Sequence, residues 1–555
     1  MKSRTSFFNL TVLRKNLTRF APLWALTAVF EVLCLLTVGM AEPLDVADLI
    51  LVIMNGMAIP SMIYAVCVAA CVFGDLFNNR LCNGLHAMPM RRDGWLLTNL
   101  ASGFLFALIP SVVGGAVAAA ILKDLYWAAL LWQGIILLQF VFFFGAAVFS
   151  AVCAGKRSGM MAIYVLINFL SVLIYWIADT FYEPLLPGVV LPSKAFTIFS
   201  PVVNMTGTEY VQYDYKKGPI LSWETINTQD WNYLLICAGV GVVLLVLSWL
   251  LYRKRHLETA GDFISFRPVK MVFLLAYTFA VGTFFHSVFG AFDDGASYGF
   301  LIVGVLIGWF TGWMLLERTV KVFTKKVILG FVAFGLLFSG SVALTASDPM
   351  KIAVSVPNAK DIESACLYTQ SKYSYYNYDW YAGGWYRTEE DEIAQVQQLH
   401  RQMITMPEEE NTETVTAYIH YRLKNGKQIQ RAYEIPAGSQ TAQDLGNHLS
   451  NIKAVLNTND DWQTIQENVQ RVEVHWEDFR EKMVTSSQEV QMDTVLAALE
   501  ADCLAGAMAQ DGNLHHDAYA GYMEITWEDQ QYGKRTEYLD IYEDCVHLYE
   551  FIKAI

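Results

Sequence analysis

Residues 125–153, LYWAALLWQGIILLQFVFFFGAAVFSAVC, contain no charged side chain and are followed directly by the basic turn AGKRS at 154–158. A helix needs about 20 mostly apolar residues to cross the ~30 Å hydrocarbon core of a bilayer. Nine runs of this kind occur, near 20–40, 47–73, 95–121, 125–153, 159–178, 231–252, 268–290, 296–316 and 327–346. The sequence therefore predicts an α-helical polytopic membrane protein with about nine transmembrane helices.

The breaks between these runs alternate in charge. Acidic residues (Glu42, Asp45 and Asp48) follow the first run. Basic residues precede the first run and follow the second, fourth, sixth and eighth, among them Arg14, Lys15, Arg80, Arg91, Arg92, Lys156, Arg157, Arg253, Lys254, Arg255, Arg318 and Lys321. Short basic loops stay in the cytoplasm. An odd number of spans then predicts a multi-pass cell-membrane protein with a cytoplasmic amino terminus and an extracellular carboxy-terminal domain.

Composition separates the chain into two unlike parts. Its 555 residues are 54% hydrophobic and its net charge is −14, but the tail from Asp348 onward carries −19 and the preceding residues +5. A chain this apolar is not a single soluble domain. A tail this acidic would repel the phosphate backbone of a nucleic acid, so nucleic-acid binding is not expected. Three cysteines in the tail, Cys366, Cys503 and Cys545, allow one disulfide, which spacing alone cannot decide.

The first 20 residues have the pattern of an amphipathic helix. Apolar residues recur at spacings of three and four from Phe7 to Phe20, with Arg14, Lys15 and Arg19 between them. We expect residues 1–20 to form a helix in the inner lipid interface, with its cations towards anionic headgroups. An ordinary basic leader remains the alternative.

The loop between the second and third runs, 74–92, reads GDLFNNRLCNGLHAMPMRR. Pro89 disfavours helix at the residue before it, and Leu81, Leu85 and Met88 would share one face of a short preceding helix. Such a helix, lying across the inner mouth of a bundle, is suited to contact with a soluble partner.

This loop resembles the coupling region of type-2 ABC exporter permeases, as do the amphipathic amino-terminal helix and the long connection 179–230. The resemblance implies a permease core of six transmembrane helices over 21–252 and three additional helices over 253–346, as in a Gram-positive branch. It implies a separate pair of cytoplasmic ABC ATPase subunits that bind ATP and magnesium, so this chain needs no cofactor and is not itself an enzyme. It also implies a second permease copy or a sister permease. The implied ATPase-coupling residues are Asn79, Arg80, Gly84, Leu85, Met88, Pro89, Arg91 and Arg92. One departure is Asn79, where the family commonly has an acid.

Glu31 lies in the middle of the first run. A charge at membrane depth costs at least about 2.5–3.5 kcal/mol, so it needs a partner or a proton. Two interpretations stay open: a residue of the translocation path, or a hydrogen-bonded structural glutamate.

After residue 347 the long apolar runs end, and apolar and polar residues alternate instead, which is typical of a soluble α+β domain. Strands are expected at 361–368, 414–423, 428–435, 468–476, 522–528 and 536–542, and helices at 390–405, 439–456, 488–504 and 544–554. Asn425-Gly426 is a strong hairpin signal. The order predicts two β-α-β-β-α units, over 347–460 and 461–555.

Residues 373–386, YSYYNYDWYAGGWY, form an aromatic-rich insertion in the first of these units. A surface of this composition is typical of recognition, while packing onto its own domain is the alternative. The recognition residues would be Tyr375, Tyr376, Tyr378, Trp380, Tyr381, Trp385 and Tyr386. We find no catalytic motif and expect no metal site, because His515-His516-Asp517 lacks a spaced third ligand.

The sequence therefore predicts the membrane permease subunit of an ATP-driven exporter. The alternative is a membrane sensor without transport activity, whose ectodomain detects an extracellular ligand and signals inward.

Overall fold

The structure is a computed structural model, and it describes residues 8–40, 46–86, 91–122, 126–208, 210, 228–255, 261–290, 294–369, 386–406, 414–456, 458, 460–476, 481–485, 489–508, 519–529 and 533–554. The chain forms two compact units. The helical unit comprises residues 1–178 and 193–339, and the α+β unit comprises residues 179–192 and 340–555. The predicted domain boundaries at 252, 346 and 460 stay predictions.

The described helices up to residue 346 are α1 (Leu10–Arg19), α2 (Ala21–Met40), α3 (Val46–Gly56), α4 (Ala58–Val72), α5 (Asn79–His86), α6 (Arg92–Ile121), α7 (Tyr126–Cys153), α8 (Arg157–Phe181), α9 (Ser193–Thr197), α10 (Pro201–Thr206), α11 (Thr228–Lys254), α12 (Arg267–Gly290), α13 (Asp294–Glu317) and α14 (Lys325–Ala346). Eight of them are long and apolar enough to cross a membrane: α2, α6, α7, α8, α11, α12, α13 and α14.

The second expected span, 47–73, is not one continuous helix. It consists of α3 and α4, which are separated at Met57. Pro60 is the third residue of α4. Its ring would clash with the carbonyl four residues earlier, at Gly56, and it has no N–H to donate there. A run that hydropathy reads as one span is therefore divided into two shorter helices.

Helix α1 confirms the helix predicted near the amino terminus over Leu10–Arg19, while its place in the lipid interface stays a prediction. Its N-cap is Asn9, whose side chain accepts hydrogen bonds from the N–H groups of Thr11 and Val12. Asn16 donates from Nδ2 to Asn99 Oδ1 at 2.8 Å and to Ser102 Oγ at 3.0 Å, so α1 is fixed to the first turns of α6.

Helices α7 and α11 meet at two glycines. A Cβ on Gly241 would lie 2.5 Å from the Val141 carbonyl oxygen and 2.6 Å from the Phe142 Cα, and a Cβ on Gly145 would overlap the Gly241 carbonyl. Backbone therefore lies against backbone at this crossing, a geometry that only small residues permit.

The α+β unit contains seven strands and six helices in its described part. The strands are β1 (Ile362–Thr369), β2 (Thr414–Leu423), β3 (Gln428–Pro436), β4 (Val469–Trp476), β5 (Glu481–Thr485), β6 (Tyr519–Asp529) and β7 (Gly533–Tyr542). The helices are α15 (Glu390–Ile404), α16 (Gln440–Leu449), α17 (Ile452–Val455), α18 (Trp462–Asn468), α19 (Glu489–Leu504) and α20 (Val546–Ala554). The strands form two antiparallel sheets of order β1-β2-β3 and β5-β4-β6-β7.

The two sheets repeat one order of elements. We define the first repeat as β1, α15, β2, β3 and α16, and the second as β4, α19, β6, β7 and α20, with β5 inserted after β4. In each repeat the first strand pairs with the second and the second with the third. Strand β5 was not predicted from sequence, and it adds a fourth strand at the β4 side of the second sheet.

The Asn425-Gly426 hairpin forms as predicted, but only one of its turn residues has positive φ. Gly426 has φ +80, whereas Asn425 is not among the residues with positive φ. The turn closes through the Gly426 N–H on the Leu423 carbonyl at 2.8 Å. Cys366, Cys503 and Cys545 are all buried free thiols.

Candidate functional site

The site lies at the end of the helical unit where three loops meet: 74–86 before α6, 154–156 between α7 and α8, and the residues that follow α11. Gly74–Phe77 forms one 3-10 turn, and α5 follows it. Asn78 caps α5, because its side chain accepts hydrogen bonds from the N–H groups of Arg80 at 2.9 Å and Leu81 at 3.4 Å. The local sequence thus starts a new short helix instead of extending α4.

Helix α5 has a buried face and an exposed face. Leu76 before it and Cys82 within it are 1% and 2% exposed. Arg80, Leu81 and Gly84 are exposed, and a Cβ on Gly84 would meet nothing within 4 Å. Leu81 is 51% exposed, so this end of α5 presents an apolar residue beside a cation to its surroundings.

The other expected coupling residues are only partly described. Met88 and Pro89 lie outside the described residues, and for Asn79 and Leu85 the structure describes the backbone alone. Arg91 and Arg92 are exposed at the start of α6. Whether Leu85 and Met88 share a face with Leu81 therefore stays a prediction.

Arg255 holds the base of this loop. Its side chain is buried, and it donates from Nη1 to the carbonyl oxygens of Ala151 at 3.0 Å and Val152 at 3.1 Å. From Nη2 it donates to the Leu76 carbonyl at 3.2 Å. The two acceptors in α7 are last-turn carbonyls that lack helical partners, which a cation satisfies well. One guanidinium therefore joins the end of α11, the end of α7 and the turn before α5.

An ion pair, Arg253–Asp93, fixes the same end of the helical unit. Asp93, in the first turn of α6, accepts two hydrogen bonds from Arg253, at 3.0 Å from Nε and 2.9 Å from Nη2. The Trp249 indole donates to the same carboxylate at 2.9 Å. This bidentate geometry is the strong form of an arginine–carboxylate contact. Helices α6 and α11 are thus joined next to the Arg255 contacts.

Backbone contacts complete the junction. The Ser265 N–H donates to the Cys153 carbonyl at 2.8 Å, and the Gly261 N–H donates to the Gly155 carbonyl at 2.7 Å. Burial raises the pKa of Asp75 in the turn before α5, although Arg19 and Lys15 nearby oppose that rise. The acid of this loop therefore lies within a basic surrounding.

Glu31 lies at a separate polar position inside the bundle. It is 3% exposed, and its Oε2 atom has no hydrogen-bond partner in the described part of the chain. A Cβ on Gly114 would lie 2.9 Å from that oxygen and 2.5 Å from Gln133 Nε2. Glycine at position 114 thus leaves room for a carboxylate from α2 and an amide from α7 beside α6. Gln133 is also buried, and its side-chain amide interacts with the Glu31 carboxylate.

Comparisons of the chain with models of known protein families, with curated proteins and with solved structures give no match. The resemblance of residues 74–92 to exporter permeases therefore rests on the sequence pattern alone.

In the α+β unit, Tyr386 is the one expected recognition residue that the structure describes. Its hydroxyl lies 2.5 Å from His420 Nδ1, and the Arg422 guanidinium lies 3.7 Å from the centre of its ring. Tyr375, Tyr376, Tyr378, Trp380, Tyr381 and Trp385 lie outside the described residues. The described end of the insertion is thus packed against β2 through a cation–π contact.

The sequence did not predict the role of Arg255, or that Gln133 and Gly114 lie beside Glu31. Arg255 was one of three consecutive cations that marked loop charge, and its burial depends on where α11 ends. Gln133 was one of several polar residues in apolar runs. Gly114 on α6 is the sequence feature that makes room for Glu31 and Gln133. That it faces them depends on how the helices pack, which the sequence does not show.

Proposed function

We propose that this protein is the membrane permease subunit of an ATP-driven exporter, coupled through residues 74–94 to separate cytoplasmic ATPase subunits. The observation that carries the proposal is the Arg255 junction beneath α5. A partner that contacts Leu81 or Arg80 would act on a segment bonded directly to α7 and α11, so its movement would reach two long apolar helices without an intervening flexible loop.

The polar position at Glu31 supports the same proposal. A buried carboxyl group is costly at membrane depth, and such groups are typical of substrate and ion pathways. Glu31 and Gln133 belong to two different helices and converge beside Gly114. We infer that this position faces the transported molecule or its accompanying water.

One observation favours the alternative, a membrane sensor whose ectodomain signals inward. Residues 188–189 belong to the α+β unit and pair with the edge of its first sheet. Val189 bridges to Arg431, and the Ala432 N–H donates to the Gly188 carbonyl at 3.1 Å. A change in this sheet would act on the connection that follows α8, as an inward signal requires.

Photo-crosslinking from α5 in cells of the native host tests the proposal. A photoreactive residue at Leu81 should crosslink to a protein that mass spectrometry identifies as an ATPase with phosphate-loop motifs. The matched control carries the same residue at Phe323, which is 65% exposed in another basic loop. Adding Arg255→Ala should lower the Leu81 yield about fivefold or more at equal membrane level, because two helix-end carbonyls and Leu76 lose a charged donor.

An ATPase that crosslinks from Leu81 but not from Phe323 supports the exporter. Equal products from both positions, or no ATPase from Leu81, contradict it. A signalling protein without ATPase motifs, crosslinked from Leu81 alone, would favour the sensor.

A further inference from the structure

The second sheet has a polar face opposite its core. Val472 and Val474 of β4 are buried in the core, as are Met523 and Ile525 of β6. Because strand side chains alternate between faces, Glu473, His475 and Glu524 lie on the other side. The register pairs Glu473 with Glu524. One ligand atom from each of these three side chains lies within 4.8 Å of the others.

The first glutamate is buried, and the histidine is half-buried with its ring held in one orientation. Glu473 is 4% exposed. His475 Nε2 lies 3.7 Å from Glu473 Oε2 and is itself buried, with no hydrogen-bond partner in the described part of the chain. The imidazole stacks on Tyr522, with ring centres 4.3 Å apart and planes 9° apart. Stacking fixes the ring, so that Nε2 stays directed at the carboxylate.

Among the side chains that the structure describes, this cluster has more acidic groups than cations. Two carboxylates face each other across a strand pair, where like charges are destabilising. Arg471 contacts Glu473, but its side chain is 44% exposed and it is one cation for two acids. Carboxylate oxygens and an imidazole nitrogen without a hydrogen bond are all ligand types that divalent transition metals such as zinc accept.

We propose that Glu473, His475 and Glu524 bind a divalent transition-metal ion of the zinc class. Metal–ligand distances near 2.0–2.2 Å require the three atoms to approach one another by about 1 Å, which side-chain rotation supplies. Three protein ligands leave a position for water. Arg471 competes with the ion for Glu473 and turns towards solvent when the ion binds. The site stands independently of the transport proposal, because it uses only the second sheet.

Zinc titration of the full-length, detergent-solubilised protein, stripped with a chelator and read with a chromophoric zinc indicator, tests this assignment. One Zn²⁺ should bind per cluster. His475→Gln and Glu524→Gln should each lower the affinity at least about tenfold, since each removes one of three ligands. Arg471→Gln should raise the affinity about tenfold, because it removes a competing charge and leaves all three ligands.

The matched control replaces His515 and His516 with glutamine, because adjacent histidines in the same domain are the other obvious zinc ligands. Retained binding in this control with lost binding in His475→Gln supports the site. Binding that disappears in the control and persists in His475→Gln overturns it, and so does absence of binding to the unsubstituted protein. The Arg471→Gln result keeps the test decisive if the ligand variants fold poorly: unchanged or weaker binding counts against the proposal.

Discussion

The first and second repeats of the α+β unit share one order of strands and helices, yet the sheet faces opposite their cores carry different chemistry. In the first repeat that face holds Arg422, His420 and the ring of Tyr386, a cationic and aromatic set. In the second it holds Glu473, His475 and Glu524. The core residues of each sheet are on the other face, so the two repeats share a core arrangement but differ on the face opposite it.

The repeats also protect their sheet edges differently. The β3 edge of the first sheet is covered by residues 188–189 from a distant part of the chain. The β4 side of the second is covered by β5, which follows directly in sequence. Exposed edges promote aggregation, and native proteins cover them. An edge of the first repeat therefore pairs with the residues after α8, whereas the second repeat covers its β4 edge with β5, a strand that it contains itself.

The largest expected difference between the repeats concerns their last helices. Asp502 is buried and accepts hydrogen bonds from the N–H groups of His547 and Leu548 at the start of α20, and His547 Nδ1 lies 2.7 Å from it. The equivalent α16 has an ordinary cap, Ser439, which accepts from the Ala442 N–H. Asp502→Ala should cost about 3 kcal/mol, because several charge-assisted bonds are lost, and Ser439→Ala about 1 kcal/mol.

Hydrogen exchange of the full-length protein measures this difference. Peptides over 546–554 should lose far more protection in Asp502→Ala than peptides over 440–449 lose in Ser439→Ala. Equal losses would mean that the two helices are capped with equal strength, and that this contrast between the repeats is wrong.

The next effect tests the borrowed edge of the first repeat. Gly188 has φ +74, and a Cβ there would overlap the Tyr433 ring. Gly188→Ala should destabilise the pairing with β3 by about 2 kcal/mol, from left-handed strain and overpacking. Peptides over 428–436 should exchange faster, while Gly438→Ala, a position with open space around it, should leave them unchanged. Equal exchange in both variants would show that residues 188–189 do not protect this edge.

The smallest expected effect is an acid sensitivity of the first repeat. His400 is fully buried and contacts the hydroxyls of Tyr421 at 3.1 Å and Tyr433 at 3.0 Å. Burial lowers its pKa from 6.5 to about 4. The unfolded chain therefore binds a proton that the folded chain excludes, so stability present above pH 6.5 is lost as pH falls towards 4. At pH 5.5 the loss is about 1.4 kcal/mol.

Exchange of peptides over 414–423, measured from pH 7.5 to pH 5.5 after correction for the intrinsic rate, checks this. His400→Gln should flatten the dependence. A remainder is expected from His448, whose pKa burial lowers to about 3. An unchanged slope in the variant would remove His400 as the cause.

Sequence alone predicted the regular parts of this molecule well. The strand at 414–423 was predicted with its observed bounds, because side chains that alternate between apolar and polar over ten residues favour a strand over other structures. Helix α15 was predicted within one residue, since acids mark its first turn. Eight expected spans are continuous apolar helices in the structure, because length and hydropathy suffice to recognise them.

What sequence did not predict depends on packing. Strand β5 has five residues and gains its structure from pairing with β4. The division of this run at Met57 follows from Pro60. Mean hydropathy does not record that proline interrupts a helix. The Arg255 junction could not be predicted from sequence. Three consecutive cations lie at the end of α11, and the rotation of the helix at its last residue decides which of them turns inward.

The crossing of α7 and α11 at Gly145 and Gly241 has a mechanical consequence. With no side chain between the two backbones, no rotamer change can let one helix slide along the other. Arg255 fixes the same two helices to each other at one end. We therefore expect α7 and α11 to move as one rigid unit, so that a displacement of Leu76 tilts or translates both helices together. A methyl group added at either glycine would separate the two helices.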